Sequence, residues 1–346
     1  MKNNVAYFKS HLKDNLTPLI YITVLVFMLS LILSIYLQPY RIYDANYDEP
    51  IIAYRSCLAI PSTVIGILAY IIPFQQFSIF KKRRNLDCFY SLPISRREIG
   101  VVHYLTGLII LAIPYTVSYT ANLVLLLVRN TGMNFSPMIA HFFITLILGA
   151  VLYTSVTFII NQANSVTDGC VFCVLWSFVF LLITGAIIFF ESTFVDSLIG
   201  AFPWSAIDIV TTHFQKLVEN SAESDTVLSL GSAKTKIISI IWWVAIGIAS
   251  FFGFFYTFGK RAPEKTEELS DSYFGYRIMI PVYAISGIFA LWSVIFWVFI
   301  CATAFVGYAI YRRSFHFKKT DYVMLGIILL TMIFSYVFGA SFLGAK

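Results

Sequence analysis

Seven stretches of this 346-residue chain each run for about 20 or more predominantly apolar residues, and no other feature constrains the fold as strongly. They are Pro18–Gln38, Cys57–Phe80, Val101–Val128, Ile139–Asn161, Gly169–Phe190, Ile237–Phe258 and Tyr322–Leu343. A helix rises about 1.5 Å per residue, so each stretch reaches across a hydrocarbon layer of about 30 Å. Inside that layer backbone polar groups must be bonded internally, which a helix does within one segment. Charged residues make up only 12% of the chain, against about 25% in a soluble domain, and apolar residues make up 59%. That leaves too little polar surface for a water-facing globule. The reading is an all-α polytopic membrane protein embedded in a lipid bilayer. The net charge of +6 is small for nucleic-acid binding, so no nucleic-acid partner is expected. Cys57, Cys170, Cys173 and Cys301 fall in or beside apolar runs and Cys88 among basic residues, a pattern unlike a secreted disulfide framework.

Ile278–Tyr311 needs a decision. As one helix it would be about 51 Å long; as a hairpin turning near Leu291–Ser293 it makes two short spans. Cytoplasmic loops are enriched in Lys and Arg. The hairpin puts 17 of the 24 such residues inside, the single helix 14. The hairpin is favoured, giving about nine transmembrane helices (eight is the alternative) with the N-terminus inside. Lys2, Lys9 and Lys13 precede the first stretch and no small-residue cleavage site follows it, so the first span is expected to remain.

The pieces between the spans are short. In residues 1–16, Val5, Phe8, Leu12 and Leu16 recur at helical spacing with Lys9, Lys13 and Asp14 between them, as in an amphipathic surface helix. The loop at 81–100 opens with Lys81, Lys82, Arg83 and Arg84, then places Cys88, Phe89, Tyr90, Leu92 and Ile94 where no span is possible. Pro93 ends one helix, and Ser95-Arg96-Arg97-Glu98 is a capping box that starts the next. Exposed apolar side chains beside a rigid break make a docking surface for another protein. On the outer side, 191–220 carries two amphipathic stripes separated by Pro203: Phe194, Val195, Leu198, Ile199 and Phe202, then Ile207, Val210, Phe214 and Leu217. Segment 259–277 mixes both signs of charge and reads as a solvated cytoplasmic linker.

The string Ser91-Leu92-Pro93-Ile94-Ser95-Arg96 after the second span resembles the loop of ABC-2-type transporter permeases. The wider frame over roughly 1–260 is similar too: a basic amphipathic start, a cytoplasmic loop between spans two and three, and a long outer segment between spans five and six. The chain departs from the family where a lysine often follows the motif and His103 stands here. The resemblance implies a type V exporter-like core of six spans over 17–258, joined by the 259–277 linker to three C-terminal spans over 278–346. It implies that the loop is a coupling helix against an ATPase subunit, through Cys88, Phe89, Tyr90, Leu92, Pro93, Ile94, Arg96, Arg97 and Glu98. The implied partners are two copies of a cytosolic ABC ATPase subunit and a second permease copy or sister permease. The resemblance also implies that no cofactor binds the chain directly and that ATP–Mg sits on the ATPase. The nearest likeness is to permeases of small bacterial exporters linked to antimicrobial-peptide resistance, which implies the bacterial cytoplasmic membrane.

Other chemistries lack their residues. A phosphate-cradling loop of the form GxxxxGK[ST] is approached only by Gly231-Ser232-Ala233-Lys234-Thr235, without its glycines in place. No HExxH or GxSxG motif occurs. Cys170 and Cys173 have CxxC spacing without a second pair, and His103 and His141 lie near span ends without carboxylate partners. Span centres hold no carboxylate or histidine for ion coupling; Asn122 is expected to hydrogen-bond between helices. Pro61, Pro73 and Pro114 are expected to kink spans two and three. Together with the resemblance, which implies a permease, this gives as the expected function ATP-driven export of an amphiphilic substrate (an antimicrobial peptide or lipid-like compound), energised by the partner. A non-transporting sensor or assembly subunit is the alternative.

Overall fold

The computed structural model describes residues 2–36, 40–42, 51–53, 58–85, 91, 93–128, 136–190, 205–218, 233–260, 264, 266–268, 270, 272–291, 294–312 and 314–343. It is a helical bundle. Helix α1 (Lys2–Asp14) leads into α2 (Leu16–Tyr36), followed by a short antiparallel pair, β1 (Tyr40–Ile42) with β2 (Ile51–Ala53). Then come α3 (Ala59–Phe77), α4 (Arg96–Val128), α5 (Ser136–Gln162), α6 (Val166–Phe190), α7 (Ser205–Val218), α8 (Ala233–Lys260), α9 (Ile278–Ala290), α10 (Val294–Arg312) and α11 (Lys319–Leu343).

Seven of these helices are long and apolar enough to cross a membrane, and α6 and α9 contain shorter apolar helices at Val166–Phe180 and within Phe274–Ala290. Large side chains such as Ile20, Leu25, Ile295, Phe299 and Leu330 are exposed around the outside. Water would not tolerate that much exposed apolar surface, whereas lipid tails meet it at no cost. The chain is a multi-pass helical membrane protein.

Cross-helix contacts fix the helix directions. Ser30 meets Ser118, and Ser34 donates to Asn122 Oδ1 at 3.1 Å, so α2 and α4 run parallel. A methyl group on Gly247 or Gly253 of α8 would strike Val151 or Phe158 of α5, so α5 and α8 also run parallel, in close contact. Between α9 and α10 the order reverses. Tyr276 and Tyr311 lie at one end with ring centroids 5.9 Å apart, and Ile288 and Trp297 at the other. Trp297 Nε1 donates to Ile288 O at 2.9 Å and Leu291 O at 2.6 Å, which satisfies carbonyls that the end of α9 leaves free. The Ile278–Tyr311 region is therefore a hairpin, broken at Leu291 where the backbone turns extended. The Arg312 fork grips Asp321 at 2.7 and 2.8 Å to turn α10 back into α11.

One of the three prolines, Pro61, does not behave as expected from sequence. Pro61 is the third residue of α3, where the first-turn N–H groups have no intrahelical partner, so it interrupts nothing. Pro73 and Pro114 do lie inside α3 and α4, where each removes a backbone donor from the helix. One core unites α2, α3, α4, α5, α7 and α8, a second gathers α9–α11, and a third patch between α5, α6 and α9 joins them.

Candidate functional site

The end of the bundle that carries α1 also carries the loop at 81–100, and its two flanks are anchored differently. After α3 a 3₁₀ turn, Ser78–Lys81, rotates Lys81 inward. Lys81 is 2% exposed, and its ammonium donates to Ile160 O at 2.6 Å and to Ala163 O. These are carbonyls at the C-terminal end of α5, where a cation also meets the negative pole of the helix dipole. Sequence alone grouped Lys81 with its three basic neighbours; of the four it is the buried one, capping α5 while the others are exposed. Arg83 next ties the loop to the 259–277 segment: Nε donates to Thr266 O at 2.8 Å, its backbone N–H to Glu267 Oε1 at 3.2 Å, and Nη2 lies 3.5 Å from Glu268.

The other flank is the capping box. Ser95 N–H donates to Glu98 Oε2 at 3.0 Å and Glu98 N–H to Ser95 Oγ at 3.3 Å, starting a helix of 33 residues. Ile94 packs against the main core, while Pro93, Arg96 and Arg97 are exposed. The Arg97 stem lies over Gly259, where an added methyl would sit 2.9 Å from its Cγ. Cys88, Phe89, Tyr90 and Leu92 lie outside the described residues.

The 259–277 segment is less solvated than its charge pattern implies. Thr266 and Ser270 are buried. Ser270 Oγ donates to Gln162 O at 2.8 Å and Ser272 Oγ to Gln162 Oε1 at 2.7 Å. Asp168, in the first turn of α6, accepts from Ser270 N–H at 3.1 Å and from the Tyr276 hydroxyl at 2.9 Å. The segment is thus bonded across the ends of α3, α5 and α6.

Helix α1 packs through polar groups that sequence reading passed over. Tyr7, His11 and Asn15 recur every fourth residue and face inward, whereas Val5 and Leu16 of the expected apolar face are exposed. Tyr7 Oη lies 3.1 Å from His103 Nε2, His11 Nε2 lies 3.2 Å from Gln76 Oε1, and Gln76 Nε2 donates to Asn15 Oδ1 at 3.1 Å. The rings of His11 and His103 are 3.9 Å apart. His103 is therefore a buried contact between α1 and α4. Burial, with help from the Asp14 charge, pushes the Tyr7 hydroxyl up to about 12. Burial pulls His11 below its ordinary value, against the opposing pull of Gln76 and Asp14.

At the opposite end His141 is fully buried among hydroxyls: Tyr119 at 3.1 Å from Nδ1, and Thr145, Thr211 and Ser62 at 3.1, 3.3 and 3.4 Å from Nε2. Thr211 lies on α7, the second of the two expected outer helices. Ile207 and Val210 of its stripe are buried, but Val218 rather than Leu217 completes the face. The first stripe, Phe194–Phe202, lies outside the described residues. Within the bundle, α5, α6 and α8 surround a cavity of about 480 Å³ lined by apolar and aromatic side chains, with Cys173 on its wall and Cys170 facing outward. No group of three or more metal-ligating side chains occurs among the described residues. No protein-family model matches the chain, and no curated protein matches it.

Proposed function

We propose that the chain is the membrane-spanning permease subunit of an ATP-driven exporter in a bacterial cytoplasmic membrane. It carries an amphiphile, a peptide or lipid-like compound, and pairs with a second permease copy or sister. Two cytosolic ATPase subunits supply the energy, with ATP–Mg on them. The observation that carries this reading is the anchoring of the 81–100 loop. One flank is pinned by a buried lysine and the Arg83 contacts, the other is a capped helix running directly into a span.

Flanks held in this way would pass a push on the segment between them into α3 and α4. Movement of the segment containing Cys88–Ile94 passes along α4 through Glu98 and Ile99, and along α3 through Lys81. Arg96 and Arg97, exposed at the helix start, orient the partner by charge. Span centres without a carboxylate or histidine suit an amphiphile better than a naked ion.

Replacing Phe89 and Tyr90 together by Asp tests this. In the reconstituted complex, ATP hydrolysis is expected to continue while substrate-stimulated hydrolysis and transport fall at least tenfold. Unchanged coupling removes the docking assignment, and failure of any ATPase subunit to co-purify with the wild-type chain removes the permease reading.

A further inference from the structure

The cavity between α5, α6 and α8 has a wall chemistry of its own. None of its lining side chains is charged. Four of its polar groups have their protons committed within the protein. Ser155 donates to Val151 O at 3.0 Å, Ser177 to Cys173 O at 2.8 Å, and Thr257 to Gly253 O at 2.7 Å. Trp176 Nε1 donates to Phe274 O at 3.0 Å. A guest is therefore offered apolar contact, and a guest needing hydrogen bonds would lose them on binding.

The shape narrows the class further. From Trp243 to Thr257 the wall follows α8 for about 21 Å, at about 1.5 Å per residue, which is more than one leaflet's half of a layer about 30 Å thick. Cys173 and Trp243 are buried on the inner wall, whereas Tyr256 at the end is 60% exposed. The Lys260 ammonium stands 3.8 Å over the Tyr256 ring, in the last turn of α8. An elongated apolar slot thus ends at a cation. That is the complement of one extended hydrocarbon chain carrying an anionic head.

We propose that this slot holds one acyl chain of a membrane phospholipid whose anionic headgroup meets Lys260. The site goes beyond the permease reading and does not rest on it.

Native mass spectrometry of the full-length protein reads occupancy directly, with dioleoyl phosphatidylglycerol and dioleoyl phosphatidylcholine loaded in separate arms. One phosphatidylglycerol per chain is expected to survive detergent that strips phosphatidylcholine, with a preference of about fivefold, the scale set by one lysine at an anionic membrane surface. Lys260→Gln should bring the two lipids to parity. Ser250→Phe, which fills the slot, should abolish the retention of phosphatidylglycerol; if its melting profile departs from wild type, Ala249→Leu on the exposed side of the same wall takes its place. Glycerol phosphate and inorganic phosphate should not compete, and competition by either would reduce the site to an anion site and overturn the assignment. Retention unchanged in the filling variant, or a phosphatidylglycerol preference unchanged in Lys260→Gln, overturns it as well.

Discussion

Lys81 shows how much a single side chain contributes when it is withdrawn from water. Its ammonium serves two carbonyls at the end of α5 and opposes that helix's dipole, so removing it withdraws a buried charged donor from Ala163 O and from Ile160 O, the second of which keeps the Ala163 N–H at 3.1 Å. Lys81→Met keeps the stem and is expected to cost about 1–3 kcal/mol, the range for stranding a buried polar group. A thermal midpoint equal to wild type in detergent would refute the capping role. His11 makes a different point. Held neutral by burial, it binds a proton less readily when α1 is docked than when α1 is free. Docking is therefore fully stable above the free value of about 6.5 and weakens as pH falls below it, until the depressed docked value is reached. Hydrogen exchange over residues 5–14, corrected for its intrinsic pH dependence, should accelerate between pH 7.5 and 5.5. The acceleration should vanish in His11→Gln; equal acceleration in that variant rules out His11 as the cause.

Among the elements, α4 depends on how it begins. The Ser95–Glu98 box satisfies first-turn donors reciprocally, and Ser95→Ala should cost about 1 kcal/mol, with faster exchange confined to the first turn of α4. Uniformly faster exchange along α4 would count against a local cap. The box was legible because its spacing is local, and so were the hairpin break at Leu291 and the inward stripe of α7. The Asn122 bond was legible too, since a lone amide in an apolar span has few other uses. What sequence left unread is set by rotation and by distant partners. Lys81 and Lys82 are neighbours in the same basic run, and only the 3₁₀ turn before them points one inward and the other out. Gln76, His11 and His103 each look like interfacial residues. Their meeting depends on α1 folding back, although the fourfold spacing of Tyr7, His11 and Asn15 was the available signal.

For the molecule as a whole, the contacts among α9, α10 and α11 gather Tyr276, Tyr311 and the Arg312–Asp321 clamp at the end that carries α1. A cysteine introduced at Lys319 in a background lacking the five native cysteines should then label from the same side as one introduced at Lys9. Labelling from opposite sides would mean eight crossings rather than nine. The buried contacts of segment 259–277 also mean that α9–α11 are bonded to the ends of α3, α5 and α6 through Thr266, Ser270 and Ser272, not merely tethered.

The polar pairs between α2 and α4 repeat every fourth residue on both helices, Ser30 with Ser118 and Ser34 with Asn122. Four residues along a helix is about 6 Å. A slide of that size in one direction would bring Ser34 against Ser118, and in the other Ser30 against Asn122, keeping one of the two bonds. Any smaller slide would break both in surroundings with no water to replace them. The first span is thus a notched rod: it rests where it is or a full notch away, and positions between are costly.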